Sequence, residues 1–133
     1  MRKMNSNTKT IILVTCLVIV IILSGLLTLS YLNSTASKLE YSIKAASVAV
    51  SYKQWDTAKK HLEAFENSWG KTKFGWAILL DHYEIENIDN SFTKSGKYVE
   101  SKDSSPALAE LEALRQYILH IPKKESFSLE NIL

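Results

Sequence analysis

Nineteen consecutive residues, Ile11 to Leu29, carry no charged side chain: IILVTCLVIVIILSGLLTL. As a helix rising about 1.5 Å per residue, this run extends roughly 29 Å, close to the hydrocarbon thickness of a bilayer. A core helix of a small soluble protein needs a polar stripe on its solvent side, and this run has none. Thr15, Ser24, Gly25 and Thr28 fit a membrane helix, because small hydroxyls bond back to their own backbone. The expected role of residues 11–32 is therefore a transmembrane anchor. Cys16 lies inside the run and has no second cysteine to pair with.

The flanks decide between an anchor and a cleaved leader. Arg2, Lys3 and Lys9 precede the run, and Ser34-Thr35-Ala36 offers small residues of the cleavage-site type. Leader cores, however, usually extend only about 7–15 residues, shorter than this run. An uncleaved signal-anchor is the expectation. The N-terminal residues 1–10 hold three basic groups and no acid, whereas the rest holds thirteen basic against fourteen acidic residues. The positive-inside bias puts the N-terminus in the cytoplasm and residues 33–133 outside, a single-pass protein of the cell membrane. A net charge of only +2 argues against nucleic acid as a partner.

Beyond the run there are three glycines, two prolines and no alternating strand pattern, so an all-α body is expected. One amphipathic stretch, 37–53, carries Leu39, Ile43, Ala46 and Val50 on one side and can prolong the membrane helix. A second starts at Asp56, a good N-cap residue, and runs to Trp69, with Gly70 as a natural stop. Its Trp55, Ala58, Leu62, Phe65 and Trp69 span an arc of roughly 80°, a seam for a neighbouring helix rather than an aromatic ligand cage. It lacks the Leu-Gly and Tyr positions of a tetratricopeptide unit, and no second copy is present.

A third stretch, 73–97, aligns Phe74, Ile78, Ile85, Ile88 and Phe92 but places Asp81 among them. A carboxylate buried there needs a partner, for which Arg115 or Lys60 is available. A fourth, opened by Pro106 in its first turn and closed by Pro122, carries Leu108, Leu111, Leu114 and Ile118. Phe127, Leu129, Ile132 and Leu133 then fold back on the bundle. The architecture expected is a single transmembrane helix followed by an antiparallel bundle of three to four helices, each buried Leu, Ile or Phe contributing about 1.5–3 kcal/mol.

Taken in order, Trp55-x-x-Ala58, Leu62 and Trp69, then Asp81-His82-x-Glu84-Ile85-x-x-Ile88, Ala109-Glu110-Leu111-x-x-Leu114 and Leu129-x-Asn131-Ile132-Leu133 resemble the domain of unknown function 4363 family. That resemblance implies a small single-span membrane protein of clostridia and related Gram-positive bacteria, and association with multi-span membrane proteins. It implies no reaction and no cofactor. The Gly70-x-x-x-x-Gly75 interval departs from the more helical junction that the family leads one to expect.

Chemistry-bearing patterns are sparse. His82, Glu86 and Asp89 fall at i, i+4 and i+7 and, with Asp81, form a polar cluster on one helix face. An imidazole and carboxylates can ligate a metal, but there is no HExxH and His61 and His120 lie on other segments. There is no GxSxG elbow and no glycine-rich phosphate loop. The sequence therefore points away from an enzyme and toward a membrane-anchored interaction module. Its partner is expected to pack on an apolar stripe or on Ser24, Gly25 and Thr28. The alternative is an extracytoplasmic sensor or ligand- or metal-binding bundle that uses His82. Oligomeric state is left open.

Overall fold

The computed structural model describes residues 5–132, so Arg2, Lys3 and Leu133 lie outside the described residues. Four helices account for nearly all of it: α1 (Ser6–Ser51), α2 (Trp55–Leu79), α3 (His82–Glu100) and α4 (Ser104–Ile132). No strand occurs among the described residues. The helices run up-down-up-down, α1 packing on α2 and α4, and α3 on α4 and, less extensively, α2. The all-α bundle expected from the sequence is what forms, with α1 itself supplying one of its four members.

The helix α1 passes through Asn33-Ser34-Thr35 without interruption. The hydroxyls that could have competed for the backbone are satisfied within the helix: Thr35 Oγ1 lies 2.9 Å from Tyr31 O, and Ser47 Oγ 3.0 Å from Ile43 O. Two halves of different character result. From Ile11 to Val20 every residue is exposed, and α1 is the one described helix long and apolar enough to cross a membrane. From Leu32 onward the same helix buries Leu32, Ala36, Leu39, Ile43, Ala46 and Val50. Those spacings alternate four and three, as do Ala58, Leu62, Phe65, Trp69, Thr72 and Trp76 on α2 and Ala107, Leu111, Leu114, Ile118 and Ile121 on α4. A mean period near 3.5 is the signature of helices that wrap one another in bundles.

Every member of the seam proposed from sequence lies in this core or against it: Ala58, Leu62, Phe65, Trp69, Ile85, Ile88, Leu111, Leu114 and Ile118 are buried, and Trp55 packs at its edge. Phe65 stacks on Phe92 at 5.0 Å between centroids, and Trp69 meets Trp76 edge-on at 5.6 Å. Aromatic pairs in these geometries add about 0.5–1.5 kcal/mol beyond area burial.

Three boundaries differ from the sequence expectation. Gly70 does not stop α2, because Thr72 and Trp76 continue the buried stripe and outweigh the cost of about 1 kcal/mol for a helical glycine. The stretch 73–97 is not one helix: Leu80 and Asp81 are extended, and the chain reverses there into α3. Asp81 thus takes an N-cap position rather than a core one, and Phe74 and Ile78 end up exposed on the last turns of α2. Pro122 does not end α4, which runs on to Ile132; the proline is buried and forfeits one bond to the preceding turn.

The other two connections share one design. After α1, Gln54 N–H reaches Ala49 O (2.8 Å) and Lys53 N–H reaches Val50 O (2.9 Å); after α3, Asp103 N–H reaches Tyr98 O and Lys102 N–H reaches Val99 O (3.0 and 3.1 Å). Both are Schellman closures, with Lys53 (φ 55°) and Lys102 (φ 56°) in the left-handed position where glycine is usual.

Candidate functional site

The polar groups of the body form separate ties between helices rather than one convergent centre. Near the point where the apolar run ends, Trp76 Nε1 donates to Thr35 Oγ1 at 2.9 Å, joining α2 to α1. Beside it Gly75 faces the Tyr31 hydroxyl so closely that no Cβ fits without displacing the ring. Higher up, Arg115 Nε donates to Glu40 Oε1 at 3.0 Å, linking α4 to α1, and Arg115 Nη1 donates to Glu112 Oε1 at 3.1 Å within α4. Burial raises the Glu40 carboxyl, but hydrogen bonds and charge from Lys44 and Arg115 more than reverse this and hold it below the usual carboxylate range.

The four residues singled out as a polar cluster do not converge. Asp89 turns to α2, accepting from Trp69 Nε1 (2.8 Å) and from Lys73 Nζ. His82 Nε2 and Glu86 Oε1 stand 3.6 Å apart in solvent, the histidine 89% exposed. Asp81, 80% exposed, lies 3.8 Å from Lys124 Nζ on α4; neither Arg115 nor Lys60 is its partner. One helix face is thus split between α2, α4 and solvent, because α3 packs Ile85 and Ile88 inward and leaves its flanks to those two helices. No trio of His, Cys, Asp and Glu placed to hold a metal occurs among the described residues.

A tie absent from the sequence reading lies where α3 meets α4. Lys124 Nζ donates to Glu84 Oε1 at 2.9 Å, and this bond, with the carboxylate's charge, raises the Lys124 ammonium above its ordinary value. Glu84 Oε2 is buried without a hydrogen-bond partner. The adjoining cleft, about 230 Å³, is lined by Tyr83, Glu84, Asn87, Tyr117, His120 and Ile121. It falls below the roughly 300 Å³ at which small-molecule sites usually begin. Glu84 and Lys124 are forty residues apart, so no local spacing could have revealed them.

The small residues Ser24, Gly25 and Thr28, expected to receive a partner helix, line a groove against the end of α4. A Cβ at Gly25 would stand only 2.7 Å from Leu129 Cδ1. That face of α1 is occupied by the chain's own tail.

These features define a class: a long helix, apolar and uncovered in its first half, built in its second half into an antiparallel four-helix bundle. The chain belongs to the family described as Domain of unknown function (DUF4363), whose model matches residues 26–132. The matched region begins in the last turn of the apolar run and takes in the whole bundle. No curated protein and no solved structure matches the chain.

Proposed function

We propose that the protein is a single-pass, membrane-anchored helical module that binds a multi-span membrane protein and has no catalytic activity of its own. The observation that carries this reading is the division of α1. Its most apolar segment has no protein around it, unlike a core helix, while the rest of the same helix is indispensable to the bundle. A leader cut after Ala36 would remove Leu32, Thr35 and Ala36, which the folded body uses. Lys9 and the basic residues before it favour a cytoplasmic N-terminus, with the bundle on the outer side.

With Gly25 covered by Leu129, the contact for another membrane helix shifts to the opposite side of α1. Leu13, Val20 and Leu27 recur there every seven residues, roughly 200–240° round from Gly25, and all are exposed. The alternative of a metal-dependent sensor at His82 finds no support in a cluster whose members turn separately to α2, to α4 and to solvent. Photocrosslinkers at Leu13 and Leu27, compared with one at Tyr52, test the proposal in intact cells. A single multi-span adduct from the two span positions is expected. Adducts only to lipid or to a second copy would contradict it.

A further inference from the structure

Exposed Phe, Ile and Leu side chains in the bundle are not scattered. Beyond the apolar run, Phe74, Ile78, Leu79, Phe127 and Ile132 are the exposed residues of these types among those described. All five lie toward the end of the bundle nearest that run. The level is fixed by neighbours: Trp76 bonds Thr35, Gly75 abuts Tyr31, and Leu129 sits over Gly25. Tyr83, 71% exposed at the start of α3, joins them through its neighbour Glu84, which is tied to Lys124. The opposite end, at the two Schellman turns, exposes two large apolar side chains, Val48 and Tyr52, and no Phe, Ile or Leu among the described residues.

We propose that this end of the bundle is seated in the interfacial layer of the outer leaflet, so that a lipid surface covers Phe74, Ile78, Leu79, Tyr83, Phe127 and Ile132. The inference rests on α1 being a membrane anchor, and helix geometry then leaves little freedom. The wholly uncovered stretch Ile11–Val20 supplies about 15 Å, half of a hydrocarbon layer of roughly 30 Å. The other half must come from Ile21–Leu29, and the last turns of α4 lie alongside that stretch. Because α1 is unbroken, no hinge lifts the bundle away. Tyr31, about 3 Å above Leu29 along the axis, marks the boundary. Aromatic rings favour this layer, and the stem of the exposed Lys123 lets its ammonium group reach headgroups.

The test uses the full chain with Cys16→Ala, reconstituted in vesicles of phosphatidylcholine and phosphatidylglycerol. A polarity-sensitive fluorophore is placed in turn on Ile78→Cys, Leu17→Cys and Tyr52→Cys. Lipids bearing a nitroxide near the headgroup should quench position 78, and its iodide quenching constant should fall to about a third of that at position 52. Lipids with the nitroxide near the acyl terminus should quench position 17. Iodide access at 78 equal to that at 52 overturns the proposal. Protection from iodide without lipid quenching also overturns it, because protein then covers the surface. If position 17 escapes the deep nitroxide, the anchor itself is wrong; if 17 is quenched and 78 is not, only the seating fails.

Discussion

The bond between Trp76 and Thr35 ties the bundle to α1 just above the apolar run, and a double-mutant cycle measures it. Trp76 is fully buried, and its indole N–H has Thr35 Oγ1 at 2.9 Å. Thr35→Val keeps the shape but strands that donor, at a cost of about 1–3 kcal/mol. Trp76→Phe removes the donor together with part of a buried ring and costs about 1–3 kcal/mol, mainly as lost packing. In the Trp76→Phe background the threonine hydroxyl no longer has an indole to accept from, and it retains Tyr31 O and Leu32 O as acceptors. Thr35→Val should then cost little, leaving a coupling of about 1–2 kcal/mol. In a body of about 100 residues, 1 kcal/mol moves the melting temperature by roughly 4–8 °C, well within reach of circular dichroism in detergent. Costs that add to within about 0.5 kcal/mol would mean that the two side chains do not meet in the folded protein, and that α1 above the membrane is not part of the core.

Further expectations concern the turns, the Glu40 carboxylate and His82. Lys53→Gly and Lys102→Gly should each stabilise the fold by about 0.5–1 kcal/mol by relieving left-handed strain, whereas Lys53→Ala should not; thermal melts compare them. The Glu40 carboxyl is held below its usual value near 4.5, so its contribution is present above that pH and is lost as pH falls through the lower folded value. Glu40→Gln should therefore lower the melting temperature at neutral pH and lose less on acidification than the wild type does. His82→Ala, at an 89% exposed position, should change stability by less than about 0.5 kcal/mol, and divalent ions should not shift the melting temperature of either form; a shift confined to the wild type would revive the sensor reading.

The helices and their inward stripes were legible because periodicity is local. Trp55 to Trp69 and Leu111 to Ile118 announce their buried faces in the order of residues alone. The ends of the helices were less legible, since tertiary packing decides them. Gly70 and Pro122 are stop signals that Trp76 and the α1–α4 seam overrule, whereas Asp81 is an N-cap residue that a continuous apolar stripe concealed. The polar cluster failed for a related reason. Spacing on one helix puts His82, Glu86 and Asp89 on a common face but says nothing of the neighbours that divide it. Glu84 with Lys124, and Gly25 with Leu129, join segments far apart in the chain, and only the folded topology pairs them.

The mass and location of the mature chain test the central claim, that the apolar half of α1 stays attached to the bundle it helps to build. Cells are fractionated, and the protein is weighed by mass spectrometry after detergent extraction. A chain of about the full 15.0 kDa, recovered from membranes alone, is the outcome predicted. A shorter polypeptide beginning near Ser37 in the soluble fraction would contradict the account.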